Sequence, residues 1–525
     1  MHEIITLQFG HYANYIGTHF WNAQEAYFSY GPEADAERYG VIPEEELDHD
    51  VLFRVGRTLS GQETYTPRVL IYDLKGGFGS SRHLLQAYSQ VDAPADIAST
   101  QTAGPKLERF ETAAPPLNEY QQQVALEHQG DQNVQDIQTE IDLDSVVLTW
   151  ADFSRAYYHP KSMIQVDGWQ LGDTTFRPFD SFIVGKEAWV ETEAAKDTYE
   201  ENLRIFAEEC DSLQGFQLFT TVHDAWGGFA SGCLENLQED YGKKSIMIYA
   251  AGSPSSFPSS ERMSEKQHLN KALSLAHLAD KASCYIPLEP SVLPSRLSKY
   301  VEIKRHLPFH TSAILATAIE VISTPYRAKK NRIPMQDIIS RVNWRLSTKL
   351  ANLDIILPLP ILGNNGKVSL SEFPSVSTSC AFGSTKVDSK AFGESISVRG
   401  VPSGSVLTDI ASVVSKAIDT FSIRYSTPLS HPVPTSYPKI FRHLDVDGRI
   451  TSSNTSVPRS IPVLSRLETH PIMAKYIQAI LDGIEEVDIR KLSDYNQGAH
   501  AVEQDDIAVL KEELWTLSQE YKDAD

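Results

Sequence analysis

Three glycine-bearing turns hold most of the chemistry that the residue types in this chain allow. They are Gly10-His11-Tyr12-Ala13-Asn14, Gly76-Gly77-Phe78-Gly79 and Gly227-Gly228-Phe229-Ala230-Ser231-Gly232. Each follows a short apolar run that reads as a strand. Glycine after a strand lets backbone approach a phosphate, and the N-terminus of the following helix favours an anion. Each turn, taken alone, reads more readily as a tight connection of an α/β fold than as a phosphate site. No G-x-x-x-x-G-K-[ST] phosphate loop and no G-x-S-x-G nucleophile elbow occurs. His306 and His310 have helical spacing, but Pro308 lies between them, which argues against a helical zinc pair. Cys210, Cys233, Cys284 and Cys380 form no C-x-x-C motif and read as small buried hydrophobes. Neither a metal site nor a catalytic residue is expected from these patterns.

The elements that position the turns follow a strand, glycine turn, helix, strand grammar. Glu3–Phe9, Val69–Leu74, Gly215–Thr221 and Ser245–Ala251 read as strands. An acidic amphipathic helix is expected over Glu187–Glu209, and another helix after the Gly227–Gly232 loop. Ser89–Ser145 and Val368–Ser405 read as long, partly disordered insertions. Towards the C-terminus, Met473, Tyr476, Ile477, Ile480, Leu481 and Ile484 make an apolar helical stripe. A last helix places Ile507, Leu510, Leu514, Leu517 and Tyr521 on one side and acids on the other.

Composition narrows the classes further. The chain has 525 residues, with 47 Lys and Arg against 69 Asp and Glu, a net charge of −22. That charge repels phosphate backbones, and no basic cluster offsets it, so direct nucleic-acid binding is not expected. The apolar runs Ser312–Ile322 and Leu353–Leu362 are too short for a membrane span. The first Lys or Arg is Arg38, so the N-terminus reads as neither a secretory signal nor a matrix presequence.

Order and context bring in a resemblance. Met1–Trp21, MHEIITLQFGHYANYIGTHFW, is similar to the start of a tubulin. Pro67–Arg82, PRVLIYDLKGGFGSSR, resembles the next tubulin strand and phosphate loop. Cys210–Leu218, CDSLQGFQL, precedes Trp226–Gly232, which stands where tubulins carry G-G-G-T-G-S-G. The combination of GHYANYIGTHFWNAQEAYF with WADFSRAYYHPKSM is similar to the Misato/Dml family of tubulin-like proteins. The resemblance implies an α/β fold: a parallel-sheet, nucleotide-binding-type domain over 1–264, interrupted at 89–145. A central helix at 265–285, an α+β intermediate domain at 286–440 with a loop at 368–405, and a C-terminal helical region at 441–525 would follow.

The same resemblance implies vestigial nucleotide-binding positions at Gly10, His11, Tyr12, Asp73, Gly76, Gly77, Gly227, Gly228, Ser231, Gly232 and Asn270. Departures from tubulins weaken a GTPase reading. Lys75 replaces a glutamate, Phe229 and Ala230 replace Thr and Gly, and Lys266 replaces the aromatic that stacks on the base. Gly252 and Ser253 stand where a second base-reading asparagine is expected. The catalytic loop, expected near Cys284–Leu297, offers only Glu289, which reads as a surface carboxylate in a Pro-rich loop. The resemblance therefore implies a non-enzymatic factor in mitochondrial partitioning, distribution and morphology and in mitochondrial DNA inheritance. No cofactor is called for, with GTP or GDP as the one nucleotide the family would bring. Expected partners are mitochondrial-surface or cytoskeletal proteins, with tubulin or cytosolic chaperonin as alternatives. The expected place is the mitochondrion, peripheral on its outer surface, and the cytoplasm. Alternative readings are a GTP-binding polymer-forming protein and a chaperonin- or tubulin-associated spindle factor.

Overall fold

The computed structural model describes residues 3–28, 43–57, 63–79, 116–128, 141–254, 261–359, 361–362, 367–368, 376–378, 390–401, 421–451, 457–485, 487–496 and 500–522. Six strands build the first sheet: β1 (Ile4–Phe9), β2 (Val69–Lys75), β3 (Met163–Gln170), β4 (Gly215–Thr221), β5 (Ser245–Ala251) and β6 (Cys284–Leu288). All neighbours are parallel, in the order β3-β2-β1-β4-β5-β6. β1, β4 and β6 are buried along their whole length, as expected for a parallel sheet covered on both faces.

Among the described residues the α-helices of eight or more residues are α1 (His11–Glu25), α2 (Glu119–His128), α3 (Phe182–Lys196), α4 (Trp226–Tyr241), α5 (Glu261–Lys281), α6 (Pro308–Arg327), α7 (Met335–Val342), α8 (Ile472–Glu485) and α9 (Gln504–Glu520). Alternate strand residues feed two cores. Ile4, Ile71, Phe219 and Met247 pack with α1 and α6. Ile5, Leu7, Phe9, Leu218 and Ile248 pack with α3, α4, α5, α8 and α9.

The second sheet holds β7 (Asn352–Ile356), β8 (Val376–Ser377), β9 (Gly393–Arg399), β10 (Ser422–Thr427) and β11 (Val463–Thr469), in the order β8-β7-β11-β9-β10. Only β9 and β10 run parallel among these pairs. α6 joins the two layers: it packs on α1 on one side and on β7, β9 and β11 on the other. Residues Phe309–Arg327 of α6 are all buried. Pro308 sits at its first turn, where the missing N–H costs nothing.

A buried charge cluster locks this joint. Glu320 of α6 accepts from Arg327 at 2.8 Å, from Arg399 of β9, from His431 Nδ1 at 2.8 Å and from the Tyr27 hydroxyl at 3.1 Å. Burial alone would raise the Glu320 carboxyl, but Arg399, His431 and Arg327 hold it well below the usual range.

Several expectations need correction. The helix expected over Glu187–Glu209 is two pieces. α3 ends where Asp197 takes a left-handed backbone (φ 49°), and a π-helical turn at Tyr199–Leu203 then runs into a short helix at Arg204–Glu208. The 227–232 glycines are not a loop but the first two turns of α4. The helix expected at 265–285 is α5. It connects the parallel neighbours β5 and β6 and is therefore a crossover helix of the first sheet, whereas α6 joins the layers. The 368–405 stretch contains β9, a fully buried inner strand between β11 and β10. The region expected to be helical from 441 contributes β11, which pairs with β7 and β9. Most of 89–145 and much of 368–405 lie outside the described residues. Within 89–145, α2 forms and buries Tyr120 and Val124.

Candidate nucleotide crevice

In an open parallel sheet, ligands sit outside the carboxyl ends of the strands, where the order reverses. Here that point lies between β1 and β4. β1 ends at Gly10, whose φ of 102° suits glycine, and α1 starts at the next residue. β4 ends at Thr221, and α4 starts five residues later.

The crevice is packed with side chains. The Trp226 indole lies so close that a methyl group at Gly10 would fall 2.6 Å from its Cδ1. Trp226 is 2% exposed and is held between the rings of Phe179 (4.9 Å) and Phe229 (5.2 Å). The Thr221 hydroxyl donates to Asp224 Oδ1 at 2.7 Å, and that oxygen also accepts the Trp226 amide at 3.1 Å. Tyr12 crosses to α6, with its hydroxyl 2.8 Å from Thr311 Oγ1. Burial pushes the Tyr12 phenol up, against the smaller effect of Thr311.

Asp73, at the end of β2, is fully buried. Its Oδ2 accepts from Trp150 Nε1 at 2.7 Å and Asn14 Nδ2 at 3.2 Å and lies 3.0 Å from His11 Nδ1. Its Oδ1 accepts the Leu74 amide at 2.8 Å. Gly77 leaves space for this carboxylate, since any side chain there would collide with it. Gly76, with φ 95°, makes the turn itself. The Trp150 and Asn14 donors engage Oδ2 and the Leu74 amide engages Oδ1, so Asp73 is a poor fit for a magnesium ligand.

The glycines of α4 serve helix packing. A methyl group at Gly228 would overlap the Phe182 carbonyl of α3, and one at Gly185 of α3 would overlap the Ala225 carbonyl. Gly227 faces Ser274 and Gly232 faces Trp189. The amides of Gly228 and Phe229 already bond the Ala225 carbonyl. Ser231 is buried and its hydroxyl has no partner among the described residues. The interlocked glycines bring α3 and α4 close enough to cover the crevice from behind.

Asn270, expected at the base, is on α5 and saturated. Its Oδ1 accepts the Phe182 amide at 2.8 Å and the Tyr495 hydroxyl, and its Nδ2 donates to the Asp180 and His223 carbonyls at 2.8 and 3.0 Å. Lys266 is bound between Asp180 and Asp494. Both residues fasten the segment after α8. Glu289 is not a surface carboxylate: it is buried at the end of β6, paired to Lys271 at 2.8 Å, and takes the space beside Gly252. The loop after the layer-joining helix is 328–334, not 284–297. It carries Lys329, Lys330 and Arg332 and no acid. Lys330 and Arg332 pair with Glu46 and Asp48.

The structure thus brings Gly10, His11, Tyr12, Asp73, Gly76, Gly77 and the α4 glycines to one end of the sheet, while Asn270 ties the β4–α4 connection at His223 to the N-terminus of α3. Trp226, Thr221, Trp150 and Thr311 complete the crevice. The sequence signal for Trp226 was its place directly before the glycines.

Two family descriptions match the chain: a Misato Segment II tubulin-like domain over residues 2–126 and a Tubulin domain over residues 140–328. Protein DML1 of Phaeosphaeria nodorum is 36% identical over 372 residues, covering 70% of this chain and 67% of that protein. The chain belongs to the Misato/Dml family of tubulin-like proteins. Two other family members are similar to it. Protein DML1 of Gibberella zeae is 38% identical over 330 residues, 62% of this chain and 61% of that one. Protein misato homolog 1 of Pongo pygmaeus is 28% identical over 587 residues, 100% of this chain and 98% of that one. The order and pairing of the first sheet give this Misato/Dml chain its tubulin-like α/β frame. Among the described residues, no helix is long and apolar enough to cross a membrane, and no group of three or more His, Cys, Asp or Glu is placed to hold a metal.

Proposed function

We propose that this chain is a non-enzymatic tubulin-like factor in mitochondrial partitioning, distribution and morphology and in mitochondrial DNA inheritance. The non-enzymatic part is carried by one observation, the Trp226 indole seated against Gly10. A phosphate cannot share that space without moving the ring. Phosphoryl transfer also needs a metal and a group that orients water. Asp73 is committed to N–H donors, and the 328–334 loop supplies cations. The mitochondrial part rests on membership of the Misato/Dml family. In this reading the fold is a scaffold that acts through proteins at the organelle surface and in the cytoplasm.

The experiment is replacement in cells depleted of their own copy, with mitochondrial DNA retention, organelle morphology and cell fractionation as readouts. The expected result is loss of mitochondrial DNA on depletion, rescue by the full chain, and a protease-accessible pool on mitochondria. Normal mitochondrial inheritance on depletion, with co-purification of chaperonin or tubulin, would overturn the proposal in favour of a folding or spindle role.

A further inference from the structure

From Trp169 at the end of β3 to Phe182 at the start of α3 the chain holds four aromatic residues, and three of them are tucked in. Trp169 and Phe182 are buried, and Phe179 packs on Trp226. Phe176 is 95% exposed. It is held outward by a rigid turn. Asp173 Oδ1 accepts the amides of Thr175 (2.9 Å) and Phe176 (3.0 Å), and Oδ2 accepts that of Arg177 (3.3 Å). The Arg177 guanidinium then lies 3.9 Å over the Trp169 ring and bonds Glu191 of α3 at 3.2 Å. Five contacts therefore fix a turn whose apex displays one bare phenyl ring. Beside Glu191, Val190 is 58% exposed.

Exposed aromatic rings held in advance of binding are efficient anchors, because little side-chain or loop entropy remains to be lost. The charge around this one selects the partner. Between Asp167 and Asp197 there are seven Asp and Glu against three Lys and Arg, and Arg177 and Lys196 are already paired with Glu191 and Asp167. Such a surface repels acidic chains and anionic lipid and attracts cations.

We propose that the face formed by Phe176, Val190, Glu187 and Glu191 is a docking surface for a basic, apolar-bearing segment of a partner protein. The phenyl ring inserts among the partner's aliphatic side chains, and Glu187 and Glu191 meet its Lys or Arg residues. The inference extends the scaffold reading and does not depend on the mitochondrial role, since its test uses purified components.

The test is fluorescence polarisation of the full chain with a synthetic peptide of about 18 residues that forms a helix with Leu on one face and Lys and Arg on the other. A twin carries Glu in place of every Lys and Arg. Variants are Phe176→Ala and Phe176→Trp, both expected to keep the parent's thermal midpoint because the side chain is exposed. The expected result is binding of the basic peptide that weakens about tenfold or more in Phe176→Ala, survives in Phe176→Trp, and is absent with the acidic twin. Unchanged affinity in Phe176→Ala, equal binding of the twin, or no binding of either peptide would overturn the proposal. So would Phe176-dependent binding to phosphatidylcholine vesicles in place of the peptide, which would make the surface a lipid contact.

Discussion

Trp226 and Asn270 are both held by contacts within the chain. The indole fills the space beside Gly10 and is itself packed by Phe179 and Phe229. Trp226→Ala is therefore expected to cost roughly 3–5 kcal/mol, the range for large aromatic deletions, read as a shift in the denaturant midpoint. Gly228→Ala, normally favourable in a helix, is expected to destabilise by about 1–3 kcal/mol here, because the methyl group meets the Phe182 backbone. Asn270→Ala strands the Phe182 amide and the Tyr495 hydroxyl, with a loss on the order of 1–3 kcal/mol for each buried group left unpaired. A nucleotide-binding asparagine would instead lose ligand affinity with little change in stability, so the same measurement separates the two roles.

Elements explain what the chain made legible and what it concealed. β1, β2, β4 and β5 were readable because each is a short, nearly continuous apolar run bounded by glycine or polar residues. β9 was hidden because Ser395 and Ser397 give it the composition of a loop, although it is buried between two strands. The α4 glycines read as a loop because their compensation, the close crossing of α3, is a tertiary contact. α5 and α6 are not told apart by local spacing, which cannot say which helix leaves the first sheet. The apolar run Ser312–Ile322, too short for a membrane, marks the helix buried between the layers.

The joint at α6 also yields predictions. Removing Glu320 leaves Arg327 and Arg399 buried without their counter-charge, so Glu320→Ala should cost about 3–5 kcal/mol by chemical denaturation. His19 of α1 lies against Phe309 of α6, and burial lowers it from 6.5 to about 3. Between those values the unfolded chain takes a proton that the folded chain refuses. Stability is therefore full above about pH 6.5 and falls as pH drops towards 3, by about 1.4 kcal/mol per pH unit from this group. His277, lowered to about 4, acts in the same direction. Denaturant midpoints between pH 7.5 and 5 should show the fall, and a His19→Gln variant should flatten it.

At the scale of the molecule, the C-terminal helices close the same structure. α8 and α9 cover one face of α5, Lys266 holds Asp494, and the Tyr521 hydroxyl bonds both the amide and the carbonyl of Leu350. In the proposed reading the crevice is filled, and the two sheets, the joining helix and the C-terminal cover form one scaffold. The most direct test is to purify the full chain, denature it, and identify by chromatography any nucleotide released, with a parallel GTP-hydrolysis assay. A crevice occupied by Trp226 predicts a cooperatively folded protein with no guanine nucleotide above trace and no hydrolysis. Release of one GTP or GDP per chain would contradict it, and would mean that the indole moves aside for a live site at Gly10.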